Sequence, residues 1–435
     1  MKRVLIITYY WPPSGGAGVQ RWLKFVKYFR EFGWEPVVYT AENPEAPAMD
    51  ASLEKDIPEN LTVLKTKIWE PYDLYKSFIG QKKEEKINAG FLSEKEKPGL
   101  AEKISVWIRG NWFIPDARKF WIKPSVKFLS DYLSINPVDA IVSTGPPHSM
   151  HLIGLGLKKK LNIPWLADFR DPWTNIDFYK DLKLTRSSDA THKNLEREVL
   201  KHADKIISVG QTMSEEFKNL LGEKKNKFEV ITNGYDEDDL FKGEITPDPK
   251  FSIAHIGSIG PTRNPVALWK VLSEFVKENT GFASMLEIKL AGKTDVSVDK
   301  SLRQFGLEKY AKKISYLPHA EVARIQQQSQ VLLLLLNNTP NTKGILTGKL
   351  FEYLAAKRPI LAIGSEEGDS AAILAETHAG VTCDFTNEKK MREEIVKMFF
   401  QFKEGGLSVS GTGIEKYSRR NLTGEMAKAL NEIAK

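Results

Sequence analysis

The stretch Lys343-Gly344-Ile345-Leu346-Thr347-Gly348-Lys349-Leu350-Phe351-Glu352-Tyr353-Leu354-Ala355-Ala356 lies between two apolar runs, 331–336 and 359–364. The first run has the six consecutive apolar residues of a strand buried on both faces, and the second reads as the next strand. The segment between them reads as a short helix. Thr347 offers it a hydroxyl to cap the orphan N–H groups, and Gly348 keeps the first turn free of a Cβ, so a ligand can approach the backbone. Helix N-termini attract anions, and Lys349 adds a full positive charge where the dipole alone prefers an acid. Glu352 follows three residues later on the same face. A cation for phosphate beside a carboxylate for sugar hydroxyls suits a nucleotide diphosphate. The same pair on an ordinary amphipathic surface helix is worth a few tenths of a kcal/mol, and these residues alone do not separate the two readings.

Working outward, 435 residues exceed one ordinary core, so two domains of about 200 residues are expected. The hydrophobic share of 41% and the charged share of 27% are those of a globular chain. Cys383 is the one cysteine, which forbids an intrachain disulfide and fits a reducing, cytoplasmic compartment. The N-terminal apolar run is too short for a signal peptide, and no segment approaches the ~20 apolar residues of a spanning helix. A net charge of +7 favours anionic partners, but no nucleic-acid-binding motif is present.

Residues 2–8 read as a first parallel strand opening into Tyr9-Tyr10-Trp11-Pro12-Pro13-Ser14-Gly15-Gly16-Ala17-Gly18, then a helix stopped by Gly33 and a strand over 35–40. This is a βαβ unit with a glycine-rich first turn. Its glycines lack dinucleotide spacing, so Gly15 and Gly16 are read either as a tight turn or as room for an acceptor or phosphate. Residues 41–100 are polar and weakly patterned, in part an insertion. Residues 101–135 interleave Trp107, Trp112, Phe113, Phe120, Trp121 and Phe128 with Lys103, Arg109, Arg118, Lys119, Lys123 and Lys127. Such helices lie in a membrane interface or pack an aromatic stripe on the sheet, the commoner outcome, with Asp116 capping the second helix.

Further strands are expected over 138–143, 164–169, 205–209 and 228–231. Ligands gather beyond the carboxyl ends of parallel strands, where Thr144-Gly145-Pro146-Pro147-His148 and Asp168-Phe169-Arg170-Asp171 fall. His148 and His151 lack the acidic or thiol neighbours of a metal site, leaving a loop-structural role or an acceptor contact for either. Residues 236–250 read as a linker. A second α/β series has strands expected over 252–256, 287–291, 314–317, 331–336, 359–363 and 380–383, and a final helix over 423–434.

Two successive doubly wound halves, the Gly-Gly loop and the 348–356 helix together make the chain resemble the retaining glycosyltransferases of family 4, with their GT-B fold of two Rossmann-like domains around a cleft. The resemblance spans nearly the whole chain and is most specific over 251–365. It implies an acceptor-binding domain over 1–235, a nucleotide-sugar-binding domain over 251–415, and a C-terminal helix, 416–435, packing back on the first. The family's Gly-Arg-Leu loop and following lysine correspond to Gly257-Ser258-Ile259 and Arg263, so Ser258 replaces an arginine. Of its two glutamates seven residues apart, the second matches Glu352, implied to hold the ribose hydroxyls, while the first falls at Gly344, which has no carboxylate. Gly348, Lys349 and Leu350 complete the implied donor site. Where many members place a histidine near the anomeric carbon, this chain has Arg170, flanked by Asp168 and Asp171 as candidates for charge stabilisation or acceptor orientation. A buried Arg–Asp pair tying loops together is the structural alternative.

The expected reaction is therefore sugar transfer from a nucleotide-diphosphate sugar to an acceptor hydroxyl with retention, in polysaccharide or glycolipid synthesis. Arg263, Lys349 and the Gly348 helix start supply fixed positive charge where phosphate charge develops, so no metal or other cofactor is required. The expected partners are a nucleotide sugar, a glycan or lipid-linked acceptor and, through residues 101–128, the inner membrane face. The rivals are a nucleotide-sugar epimerase on the same fold and a non-catalytic nucleotide-sugar-binding protein.

Overall fold

In the computed structural model the short apolar runs line up as two parallel sheets. The structure describes residues 1–45, 48–70, 100–222, 226–315, 319–407, 409 and 411–434. The chain divides into one unit of Met1–Thr232 with Arg419–Lys435, and a second of Asn233–Ser418.

The first unit runs β1 (Lys2–Ile7), α1 (Ala17–Tyr28), β2 (Trp34–Ala41), β3 (Thr62–Thr66), α2 (Leu100–Trp112), α3 (Lys119–Ile135), β4 (Ala140–Gly145), α4 (Ser149–Leu161), β5 (Trp165–Phe169), α5 (Arg186–His202), β6 (Lys205–Ser208), α6 (Gln211–Leu221) and β7 (Phe228–Val230). Its seven strands stand in the order β3-β2-β1-β4-β5-β6-β7. The order reverses between β1 and β4, which opens a crevice at their carboxyl ends. Register sets Gly145 opposite Phe169, so the loops after β4 and β5 leave the sheet side by side.

The second unit runs β8 (Phe251–Ile256), α7 (Val266–Glu278), α8 (Thr280–Met285), β9 (Leu286–Ala291), α9 (Val296–Gln304), β10 (Ala311–Ile314), α10 (His319–Gln328), β11 (Val331–Leu335), α11 (Gly348–Ala356), β12 (Ile360–Ile363), α12 (Asp369–Thr377), β13 (Gly380–Cys383) and α13 (Glu388–Lys403). Its strand order, β10-β9-β8-β11-β12-β13, reverses between β8 and β11. The closing helix α14 (Arg419–Ile433) belongs to the first unit, where Leu422, Met426 and Leu430 join Trp22, Phe25 and Phe29 of the α1 region in one apolar cluster. Residues of every central strand are wholly buried, as two-sided covering of parallel sheets requires.

Several expectations shift. β3 was hidden inside the stretch read as a polar insertion, of which 71–99 lie outside the described residues. β10 ends where a strand over 314–317 was expected to begin, and 316–318 lie outside the described residues. The final helix starts at Arg419, a turn before the expected 423. Asp116 does not cap α3, which has Arg118 at its N-cap and no side-chain cap bond. Its carboxylate accepts from the Arg118 backbone N–H at 2.9 Å, just ahead of α3, and from the backbone N–H and hydroxyl of Ser149, at 2.9 and 2.8 Å, and so caps α4. The aromatic stripe of α2 and α3 divides. Trp121 is buried and stacks on Tyr39 at 4.9 Å, while Trp107, Trp112, Phe120 and Phe128 remain exposed.

Candidate active site

In the second unit the candidate donor residues gather at the carboxyl ends of β8 and β11. Gly257 leaves β8 with φ of +132°, in the region that favours glycine, and a Cβ there would lie 2.1 Å from Cε of Lys349. Gly257 is thus the groove in which the Lys349 side chain lies, and two candidates from distant parts of the sequence share one place. Burial holds the Lys349 ammonium below the ordinary lysine range; Glu352 pulls it back up and Arg263 lowers it further. Glu352 is half-buried and accepts from Nε2 of Gln326 at 3.0 Å.

The start of α11 departs from the expected cap. Thr347 has the extended backbone of an N-cap, but its hydroxyl makes no cap bond, and Oγ1 is buried without a hydrogen-bond partner. Gly348 is exposed with open space where a side chain would stand. The first turn holds no acid, so its outward N–H groups stay available to an anion. The Leu350 side chain is wholly buried in the apolar cluster beneath the helix. Ser258 is exposed at the loop. Nε of Arg263 donates to Oδ1 of Asn337 at 2.6 Å, and Arg263 lines a cavity of about 470 Å³ with Val266, Lys270, Leu335, Asn338 and Phe385. His255, which the sequence reading passed over, lies under this cluster. Its Nδ1 meets the Leu333 carbonyl oxygen at 2.9 Å, and burial lowers its pKa to about 4, so it adds no competing charge.

In the first unit the three residues after β4 and β5 take different places. Asp168 is wholly buried. It receives Nη2 of Arg21 at 2.7 Å, Nε1 of Trp22 at 2.7 Å and Oγ1 of Thr144 at 2.9 Å. Its lone pairs are spent on a strut between β5 and α1, which corrects its candidacy for substrate contact. Arg170 donates from Nη1 to the Gly18 carbonyl at 2.9 Å and from Nη2 to the Pro146 carbonyl, bolting the first turn of α1 to the β4–α4 loop. Burial lowers its pKa, and Asp171 and then Asp168 draw it back. Asp171 reaches solvent; the protein around it raises its carboxyl above the ordinary range, with Arg170 opposing. Among the described residues Arg170 and Asp171 form no ion pair. Gly15 donates its N–H to the Ala48 carbonyl at 2.8 Å, and Gly16, at φ of +94°, is the exposed N-cap of α1.

His148 is buried and stacks on Trp173 at 4.6 Å with an angle of 4° between the rings. Arg21 and Lys24, each about 1% exposed, were missed. The signal was there: two cations three residues apart on a helix otherwise patterned for burial, with Arg21 answering Asp168 and Lys24 answering Asp56 at 2.8 Å. Among the described residues no group of three or more His, Cys, Asp or Glu is placed to hold a metal ion, and no helix is long and apolar enough to cross a membrane.

Residues 90–239 match the family model described as Glycosyltransferase Family 4. No curated protein matches in sequence. Among solved structures, a glycosyltransferase from Rickettsia africae superposes with a TM-score of 0.64 at 12% identity, over 99% of this chain and 98% of that one. The Anabaena protein HepE, solved with UDP-glucose, gives 0.60 at 11% identity over 99% and 100%. A structure described as a putative UDP-N-acetylglucosamine 2-epimerase, from Listeria monocytogenes, gives 0.56 at 11% over 99% and 96%. The two parallel sheets are those of the GT-B fold, the architecture expected from the sequence.

Proposed function

We propose, for a chain that belongs through residues 90–239 to glycosyltransferase family 4, that it moves a sugar from a nucleotide-diphosphate sugar to an acceptor hydroxyl with retention, in the assembly of a polysaccharide or glycolipid. The observation that carries this reading is the meeting of Lys349, lying across Gly257, with the uncapped start of α11. A half-buried ammonium, open helix N–H groups and the nearby Arg263 concentrate positive charge where a leaving diphosphate gains negative charge. Glu352 then takes the ribose hydroxyls. On the first unit, the solvent-reaching Asp171 orients the acceptor or steadies the developing oxocarbenium charge, while Arg170 holds the loops that flank it.

Calorimetric titration with UDP, GDP and their hexose conjugates tests the donor site. Lys349→Ala and Arg263→Ala should each weaken diphosphate binding by roughly 1.5–3 kcal/mol, as expected for hydrogen bonds to charged groups. An anion beside Lys349 raises its depressed pKa, so above that depressed value binding draws in a proton and the measured enthalpy changes with the buffer. Unchanged affinity in both variants would remove the site. With donor alone, interconversion of the sugar would point instead to an epimerase.

The acceptor in this reading is presented at an anionic membrane surface. Trp69 is 57% exposed, Trp112 67% and Phe120 45%, and the Trp69 and Phe120 rings meet edge to face at 5.0 Å. Lys123 and Lys127 are exposed on the same helix as Phe120. Interfacial aromatics with flanking bases, each base worth about 1 kcal/mol near anionic lipid, suit peripheral attachment. Flotation with phosphatidylglycerol liposomes should carry the protein upward and lose it in high salt; no salt-sensitive recovery would rule the contact out.

A further inference from the structure

His148 ends the loop after β4 and His151 stands in the first turn of α4, and the reaction described so far uses neither. Each has one buried ring nitrogen with no hydrogen-bond partner, Nδ1 of His148 and Nε2 of His151. Both nitrogens converge on Gly145. From the point where a Cβ of that residue would stand, His151 Nε2 is 2.6 Å away and His148 Nδ1 is 3.2 Å away. A side chain at position 145 would therefore separate them, and glycine does not.

The proton positions follow from the groups behind them. Nε1 of Trp165 is only a donor, and it donates to Oγ of Ser143 at 2.9 Å. Ser143 Oγ in turn lies 2.9 Å from Nδ1 of His151. Ser143 is wholly buried, so its own proton must go to that nitrogen or stay unpaired at a cost. His151 then carries its proton on Nε2, and that N–H makes no hydrogen bond, to His148 or to any other group. The positive end of that N–H lies against the same face of Gly145 as the buried Nδ1 of His148, where a lone pair is favoured over a second proton, so the His148 proton sits on Nε2. Nδ1 is sealed, while the residue as a whole keeps 8% of its surface open to solvent. The rings are fixed in orientation by stacking, His148 on Trp173 and His151 on Phe169 at 4.2 Å.

We propose that His148 is a substrate-binding residue that presents a fixed Nε2–H donor to an oxygen of the acceptor, its tautomer set by the one-way relay Trp165–Ser143–His151. Burial keeps both imidazoles neutral. Burial first, then His151, Arg170 and His192, holds His148 well below the ordinary imidazole range, and burial with Arg170 takes His151 to about 3. A neutral donor suits an uncharged hydroxyl or ring oxygen and a phosphate oxygen alike. That the ligand is an acceptor rests on the proposed glycosyl transfer; the tautomer does not.

The experiment is long-range 1H–15N correlation of the histidine rings in the full chain, whose seven histidines keep the spectrum tractable. His148 and His151 should both appear neutral and protonated on Nε2 near pH 7, and Ser143→Ala should release the His151 tautomer. Inorganic phosphate and methyl glucoside, titrated separately, then probe the donor, and the His148 Nε2 resonance should move with one of them. His148→Phe keeps the stack on Trp173, should melt no lower than the wild type, and should weaken that probe several-fold; His148→Gln, which restores an N–H, should recover part of the loss. A proton on Nδ1 of His148, a charged ring, or a resonance indifferent to both probes would overturn the proposal. No step of this experiment reads transfer, so failure of the enzymatic reading would show separately, as absence of product from the wild type.

Discussion

Two aspartates three residues apart, Asp168 and Asp171, look alike in sequence and behave oppositely in structure. Asp168 is held by Arg21, Trp22 and Thr144 with no solvent contact, whereas Asp171 is an exposed residue with no ion-pair partner among the described residues. Removing one member of a buried pair strands the other charge, at about 3–5 kcal/mol. Asp168→Asn should therefore cut the urea midpoint sharply, while Asp171→Asn should melt near the wild type. If Asp171 acts near the transition state, its asparagine variant should lose turnover while keeping donor affinity. A large melting loss in Asp171→Asn, or an unharmed Asp168→Asn, would reverse the assignment. The sequence showed both carboxylates at a strand end. It did not show the difference, because Arg21 lies 147 residues away and only the fold brings it to Asp168.

Elements were legible where burial is two-sided and obscure at the sheet edges. Val331–Leu335 and Lys2–Ile7 announce themselves by apolar runs. Thr62–Thr66 and Ala311–Ile314 are edge strands with half-exposed residues and lysines, so they carry no run to find, and one was missed and the other misplaced. Helix caps failed for another reason: a cap can be a tertiary contact as well as a local one. Thr347 has the right residue type and position and makes no cap bond, whereas Asp116 caps α4 from 33 residues away. Asp116→Ala should accordingly cost about 0.5–2 kcal/mol, and Thr347→Ala should lose no cap energy. Urea titration of both variants decides it; equal losses would mean that Thr347 does cap α11. The candidate donor site was readable as a cluster for a related reason. Lys349, Gly348 and Glu352 are local to one helix, and only their meeting with Gly257 needed the fold.

At the scale of the whole chain, the first unit is built from both ends of the sequence. The expectation of a C-terminal helix returning to the first domain becomes a proposal about stability: α14 supplies part of the core that α1 cannot close alone. Leu422, Met426 and Leu430 are nearly or wholly buried in the cluster that holds Trp22, Phe25 and Phe29, and Lys205 reaches Glu432 at 2.5 Å. Burying such side chains contributes about 1.5–3 kcal/mol each, so three of them approach the 5–15 kcal/mol by which a domain is stable at all. A fragment of residues 1–232 should therefore be poorly folded, with broad, non-cooperative melting. The same fragment with residues 419–435 joined by a flexible Gly-Ser linker should recover a single sharp transition. Residues 233–418 carry their own sheet and two apolar clusters and should melt cooperatively without either end. Cooperative melting of 1–232 alone would show that α14 covers the first unit without being part of what folds it.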